Sequence, residues 1–139
     1  MKEFLQTDAN DIYKKMLNLA HSRNHQRDLA VSYNNLGDVS KSESNLAEAK
    51  EYYLKSLNIR EAIVNESNTI QSRLDLSITY NNLGIIAKSE GNLTEAKEYC
   101  LKSLNISETI ANETNTIEAR RDFSISYNNL GIIVESEGN

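Results

Sequence analysis

Apolar residues recur along the chain at the spacing of one helical face. A first stripe advances in steps of four, three and four residues, and after a short polar segment a second stripe advances in steps of three, four and four. Steps of this size place side chains on one side of an α-helix. The pattern therefore predicts successive helix pairs. The first stripes are Leu29, Tyr33, Leu36 and Ser40; Leu76, Tyr80, Leu83 and Ala87; and Phe123, Tyr127, Leu130 and Val134; the second are Leu46, Ala49, Tyr53 and Leu57; and Leu93, Ala96, Cys100 and Leu104.

The helix pairs repeat with a fixed period. The string YNNLG begins at Tyr33, Tyr80 and Tyr127, so both intervals are 47 residues, and residues 27–73 match residues 74–120 at about two-thirds of positions. A period of this length is typical of a repeat array, in which each pair buries its apolar faces only by stacking on its neighbours. The sequence thus predicts an all-α solenoid of antiparallel helix pairs, and the chain is expected to be part of a longer array. Its predicted parts are an N-terminal half repeat with a single helix (1–26), unit 1 (27–73), unit 2 (74–120) and the first helix of a truncated unit 3 (121–139).

Glycine recurs inside the first helix of each predicted unit, at Gly37, Gly84 and Gly131. A glycine in a helix interior costs about 1 kcal/mol relative to alanine. That cost is tolerable where two helix backbones must approach closely, and the small residues Ala49 and Ala96 are expected to lie opposite. Turns between paired helices are predicted at residues 42–45, 89–92 and 136–139, the last two containing Gly91 and Gly138.

The order of these residues resembles the tetratricopeptide repeat. The resemblance rests on a large aromatic residue, a Leu-Gly pair, a Gly-Asn or Gly-Asp pair, an alanine and a further aromatic residue at fixed spacing. It covers the chain from about residue 27 to the end and implies a right-handed α-α superhelix. In the second unit the motif residues are Tyr80, Leu83-Gly84, Gly91-Asn92, Ala96, Cys100 and Ser103.

Two features depart from the usual form of that family. The period is 47 residues instead of 34, and glutamate replaces the proline that commonly closes the second helix. The extra residues are expected to lengthen the second helix and to start the next first helix earlier, behind an asparagine cap. The longer units look more like kinesin light chains and bacterial peptide-sensing arrays than like chaperone adaptors. The residues concerned are Glu61 and Glu108 in place of proline, Asn65 and Asn112 in the lengthened helices, and Asn68 and Asn115 as caps.

The resemblance also implies a binding surface. In tetratricopeptide proteins the first helices line a concave groove, and an asparagine amide there can bond a peptide backbone because it has both donors and an acceptor. The alternative for the second asparagine of each pair is a structural bond to a neighbouring helix. The expected partner-binding residues are Asn34, Asn35, Asp38 and Lys41 in unit 1, Ile78, Asn81, Asn82, Ile85 and Lys88 in unit 2, and Asn128, Asn129 and Ile132 in unit 3; Val31, Ile125 and Glu135 lie on the same faces.

Capture of acidic C-terminal tails is excluded by the same residue-by-residue comparison. Adaptors that bind such tails use lysine and arginine side chains to hold two carboxylates. Here Asn34 stands in place of the lysine, Asp38 in place of the groove asparagine, and Ile125 with Asn129 in place of the distal basic pair. The groove is therefore not expected to hold a terminal carboxylate.

Composition narrows the class of partner and the compartment. The 139 residues carry a formal net charge of -5, so a basic patch for nucleic acid or an anionic membrane is not expected. No apolar stretch approaches the ~20 residues of a membrane helix, and the N-terminus lacks the apolar core of a secretion signal. Cys100 is the single cysteine, which fits a reducing compartment. A cytoplasmic protein is expected.

Catalytic and metal chemistry find little support in the residues. His21 and His25 have metal-ligand spacing, but no third ligand stands at a useful spacing, so a solvated pair is expected. Cys100 replaces Tyr53 at a core position and is expected to be a buried small apolar residue. No nucleophile, base or phosphate-binding loop is evident. We expect no enzyme activity and no cofactor.

Two functions are consistent with the predicted helical solenoid. The first is a protein-interaction module that binds a peptide or an extended segment of a partner protein in the groove of the first helices. The alternative is a structural solenoid that self-associates head to tail through its terminal helices, because residues 121–137 lack a second helix of their own. An open head-to-tail contact of that kind makes filaments.

Overall fold

The computed structural model describes residues 9–12, 15 and 25–138, and within these the chain is helical apart from short turns. The predicted all-α fold of helices packed on their chain neighbours is therefore confirmed. Most of the predicted half repeat 1–26 lies outside the described residues, although residues 9–12 are helical. The helices are α1 (Gln26–Ser42), α2 (Leu46–Glu66), α3 (Ile70–Ser89), α4 (Leu93–Thr114) and α5 (Ile117–Gly138). None of the helices in this part of the chain is long and apolar enough to cross a membrane.

The chain forms two compact units, Met1–Ile63 and Val64–Asn139. In the first unit, α1 and α2 bury the two stripes against each other, including the fully buried Tyr53 of α2. The hydroxyl of Ser56 donates a hydrogen bond of 2.8 Å to the backbone carbonyl of Ala30. A buried hydroxyl needs such a partner, since an unpaired one would cost more than the bond contributes. The bond fixes α2 along α1.

In the second unit, α4 packs against both α3 and α5. One core cluster joins all three helices, and a second joins the end of α4 to the start of α5. Three buried serine hydroxyls run across the same helices: Ser77 and Ser103 lie 2.8 Å apart, and Ser103 and Ser126 lie 3.4 Å apart. The clusters are Ala87, Ala96, Cys100 and Ile133, with Leu130 partly buried; and Ile110, Ala111 and Ala119, with Leu74, Ile106 and Phe123 partly buried.

The turns inside the two helix pairs each contain a residue with left-handed backbone at the same position of the repeat. Ser44 and Gly91, one period apart, adopt left-handed backbone with φ of 63° and 82°, which glycine accepts without steric cost. Asn92 then caps α4, because its side-chain oxygen accepts the backbone N–H of Glu95 at 3.1 Å. The turns predicted at 42–45 and 89–92 are confirmed. The turn predicted from Ser136 was wrong within the described residues, since α5 continues in helical geometry through Gly138.

The longer second helices are confirmed, since α2 reaches Glu66 and α4 reaches Thr114. The predicted asparagine caps were wrong by one residue. Thr69 begins α3, where its hydroxyl and that of Ser72 exchange bonds with each other's backbone N–H. Asn115 instead ends α4 in left-handed conformation (φ 51°), which asparagine tolerates better than most residues. The hydroxyl of Thr116 then accepts the N–H of Ala119 at 3.1 Å.

The glycines inside first helices mark close approaches, as predicted, but the opposing group differs. A Cβ on Gly37 would lie 2.5 Å from the ring of Tyr53, and a Cβ on Gly84 would lie 2.7 Å from Sγ of Cys100. The expected alanine contributes only at Gly84, where the Ala96 carbonyl would be 3.4 Å away. A Cβ on Gly131 would meet nothing within 4 Å. The second helix therefore presents a side chain, and not a bare backbone, to the first two glycines.

Candidate functional site

The first helices α3 and α5 of the second unit border a groove with two pockets. The upstream pocket, about 290 Å³, lies between their N-terminal halves. The downstream pocket, about 200 Å³, lies between their C-terminal halves. Gln71, Leu74, Ser77, Ile78, Asn81, Asp122, Ile125 and Ser126 line the upstream pocket, and Ile85, Lys88, Ser89, Cys100, Asn129, Ile132 and Ile133 line the downstream pocket.

Four exposed isoleucines form the apolar walls of the two pockets. Ile78 and Ile125 face the upstream pocket, and Ile85 and Ile132 face the downstream pocket. Their side chains remain 39–50% exposed. Isoleucines seven residues apart on a helix lie two turns, or about 10.5 Å, apart on nearly the same face. Exposed apolar groups gathered in a concave surface are typical of a binding site, whereas single exposed ones are ordinary.

Asn81 carries the most informative polar atom of the groove. Its side-chain oxygen is shielded from solvent and accepts no hydrogen bond, although Asn81 lines the upstream pocket. A buried acceptor without a donor costs about 1–3 kcal/mol. Asparagine stands at this position in each repeat, and in the second unit its oxygen has no hydrogen-bond donor although the residue lines the upstream pocket.

In the second unit, the two members of an asparagine pair face in different directions. Asn81, the first of its pair, lines the upstream pocket, and Asn129, the second of the next pair, lines the downstream pocket across from α3. Asn82 is half-buried and lines neither pocket. Asn128 is exposed in a separate shallow depression of α5 together with Tyr127 and other residues. The groove therefore gathers Ile78, Asn81, Ile85, Lys88, Asn129 and Ile132 from the predicted set.

The residues predicted in the first unit lie on α1. Asn34 is half-buried, whereas Asn35, Asp38 and Lys41 are exposed. Asp38 has a structural bond: the hydroxyl of Tyr53 donates to its carboxylate at 2.5 Å. Burial, and then this bond to a carboxylate, raise the pKa of Tyr53 well above its usual value. Asp38 thus holds the ring that covers Gly37, and its predicted role in partner binding stays a prediction.

The groove residues that the sequence pattern did not predict include Gln71, Leu74 and Asp122. They lie in the additional turns that the 47-residue period adds before the motif aromatic. The signal that would have found them is the helical step itself, since Gln71, Leu74 and Ile78 are spaced three and four apart. Gln71 is already engaged, because its amide donates to the carboxylate of Asp75 at 2.8 Å.

Cys100 lies behind the downstream pocket with 1% of its surface exposed. Burial raises the pKa of its thiol, so at neutral pH the sulfur is a protonated thiol and a poor nucleophile. Within residues 9–12, 15 and 25–138, no three histidine, cysteine or carboxylate side chains form a metal-binding group. His25 is exposed, and His21 lies outside the described residues.

We expect Cys100 to resist thiol reagents in the folded protein. At pH 8 its reaction with a disulfide dye should be at least about tenfold slower than that of the same protein in denaturant, because burial lowers both access and thiolate fraction. The raised pKa means that the difference shrinks as pH rises toward that value. Equal rates in the folded and denatured protein would contradict the buried position of the sulfur.

Comparison with known proteins agrees with the geometry. Two family models, both described as tetratricopeptide repeat, match residues 29–69 and 78–110, together more than half of the chain. No curated protein matches the sequence. Tetratricopeptide repeats mediate protein–protein interaction and are typically non-enzymatic scaffolds. The matches, the paired helices and the glycine contacts show that this chain belongs to the tetratricopeptide repeat family.

Proposed function

We propose that this chain binds a peptide or an extended segment of a partner protein in the groove between its first helices. The observation that carries the proposal is the shielded, unbonded oxygen of Asn81 between exposed isoleucines. An extended backbone presents an unpaired N–H at every residue. It can therefore supply the donor that this oxygen lacks once the Asn81 side chain turns toward the pocket, while the ligand's side chains cover the apolar walls.

The energetics favour a ligand at this place over an empty groove. A donor from the ligand would remove the cost of the unpaired acceptor, which is about 1–3 kcal/mol. Covering the exposed isoleucine surface adds a favourable term of about 25 cal/mol per Å² of apolar area. Neither gain depends on one particular peptide sequence. The asparagine can bond any extended backbone, and the pockets determine which peptide side chains fit.

The test compares baits that differ only at two groove asparagines. We expect a cell-lysate protein that is retained by the unmodified chain to be lost, by at least about tenfold, with Asn81→Ala/Asn82→Ala. The matched control is Asn105→Ala/Asn112→Ala, which removes two exposed asparagines of α4 outside both pockets. Far-UV circular dichroism establishes that all three chains are folded.

Retention of the same protein by the folded Asn81→Ala/Asn82→Ala variant would refute the groove as the binding surface. Loss with both the groove variant and the control variant would also count against it, because Asn105 and Asn112 line neither pocket. The proposal stands only if the loss is confined to the groove variant.

Self-association is the second candidate, favoured by the uncovered face of α5. Tyr127 is 63% exposed and Val134 is 46% exposed, whereas the equivalent Tyr80 and Ala87 of α3 are buried against the rest of the second unit. In this alternative, the N-terminal half repeat of another molecule docks on α5. Light scattering that shows a monomer at high protein concentration would refute it.

A further inference from the structure

We infer that the groove of the second unit selects a bipolar segment: a basic group beside Asp122, aliphatic side chains in the two pockets, and a carboxylate beside Lys88. The inference rests on the proposed function and goes further, because it names the chemistry of the ligand. It is carried by the charges at the two ends of the groove, the spacing of the pockets and the unbonded oxygen of Asn81.

The two ends of the groove carry opposite charges. Asp122 is exposed and lines the upstream pocket, where no basic side chain of the described residues is present. Lys88 is exposed and lines the downstream pocket, where no acidic side chain of the described residues is present. Charges of opposite sign at the ends of a concave site favour a ligand with the complementary order of charges.

The position of Lys88 has a structural explanation that does not account for Asp122. A cation in the last turn of a helix interacts favourably with the partial negative charge there, and Lys88 occupies the last turn of α3. Asp122 lies past the first turn of α5, which begins at Ile117, so the helix dipole gives it little benefit. The sequence therefore places this carboxylate in the pocket without a helix-end reason.

The spacing of the pockets favours an extended ligand with aliphatic residues three apart. The isoleucines repeat every seven residues, about 10.5 Å along the helices. In a polyproline-type extended chain, residues three apart project on the same side and lie about 9 Å apart. A β-strand would turn residues three apart to opposite sides. The polyproline-type geometry thus fits both pockets with one side chain each.

The length between the charged ends follows from the repeat. Asp122 corresponds to Asp75 one period earlier, and Asp75 precedes Lys88 by 13 residues of α3. Thirteen residues of helix rise about 20 Å. An extended chain that rises about 3.1 Å per residue covers this distance in six or seven residues. The ligand is expected to carry its two charges that far apart, with the aliphatic pair between them.

A helical ligand is disfavoured by the Asn81 oxygen. A helix could place aliphatic side chains seven residues apart in the two pockets, but its backbone N–H groups are bonded within the helix. It would leave the shielded oxygen of Asn81 without a donor. An extended chain satisfies the pockets, the charges and the acceptor together.

The experiment selects binders from a bead-bound library of random decapeptides with blocked ends. The unmodified chain is expected to enrich peptides with one basic and one acidic residue six or seven positions apart and two aliphatic residues three apart between them. Lys88→Glu should instead enrich peptides that are basic at both places, and Asp122→Lys should enrich peptides that are acidic at both. The matched control Glu108→Lys changes an exposed charge of α4 outside both pockets and should select as the unmodified chain does.

A selected peptide should bind the Lys88→Glu variant at least about tenfold more weakly at low salt, and the difference should shrink at 1 M salt. Enrichment that requires Asn81 and Asn82 but ignores both charge reversals would overturn the bipolar ligand and leave groove binding intact. If the unmodified chain enriches no peptides, or if Asn81→Ala/Asn82→Ala enriches the same peptides as the unmodified chain, both the groove and the ligand inferred for it are overturned.

Discussion

Leu83→Ala is expected to lower the free energy of unfolding by about 2–5 kcal/mol. The side chain of Leu83 is 1% exposed in the core of the second unit. Removing three buried carbons loses their transfer free energy and leaves a cavity that the packed helices can close only in part. Urea denaturation followed by far-UV circular dichroism measures the loss.

The control is the same residue one period later. Leu130 occupies the equivalent position of α5 but is only partly buried, so Leu130→Ala should cost clearly less than Leu83→Ala. The two substitutions are chemically identical and lie in the same unit, and only the covering of the site differs. Equal losses would show that α5 packs as completely as α3, which would contradict the exposed face of α5.

The repeat pattern predicts the apolar face of each first helix but not whether that face is buried, as two equivalent tyrosines show. The sequence places Tyr80 and Tyr127 at the same point of identical YNNLG strings, yet Tyr80 is 7% exposed and Tyr127 is 63% exposed. Tyr80 packs against Tyr99 of α4 with ring centroids 6.2 Å apart. Tyr127 instead contacts Phe123 of its own helix. A helical stripe therefore predicts which face is apolar, and the neighbouring helix decides whether that face is buried.

Only some of the groove residues could be predicted, because the motif covers only part of each first helix. Ile78, Ile85 and Asn81 could be placed from the helical steps of the motif, because those steps fix the exposed side of a first helix once the buried side is known. Asp122 and Leu74 were missed, since they lie in additional turns for which the 34-residue motif gives no equivalent. The unbonded state of the Asn81 oxygen depends on the shape of the pocket and has no signal in the sequence.

The helix caps show the limit of spacing rules at a finer scale. Asn68 with Gln71 has the spacing of a capping box, but so does Thr69 with Ser72, and the structure uses the second pair. Asn115 is needed as the left-handed end of α4, and one residue cannot both end that helix and cap the next. Competition between two local roles therefore shifted the predicted start of α5 by one residue, and the alternative pair Thr69 and Ser72 shifted that of α3.

Gly84→Ala is expected to destabilise the fold by about 1–3 kcal/mol, against the usual gain when alanine replaces a helical glycine. The new methyl group would lie 2.7 Å from Sγ of Cys100, so either the buried Cys100 side chain must turn or the two helices must move apart. Gly131→Ala in the identical local sequence meets nothing within 4 Å and should stabilise by about 0.5–1 kcal/mol. Opposite signs for one substitution are the expected result of urea denaturation.

The double variant Gly84→Ala/Cys100→Ala separates this contact from any other cost at Gly84. Removing Sγ leaves the Ala96 carbonyl, at 3.4 Å, as the nearest group to the new methyl, and the two alanines then share the space of one sulfur. The loss should therefore be smaller than the sum of the two single losses, with a coupling of about 0.5–3 kcal/mol. Additive losses would mean that the glycine is required by the backbone of α3, and not by the side chain that α4 presents to it.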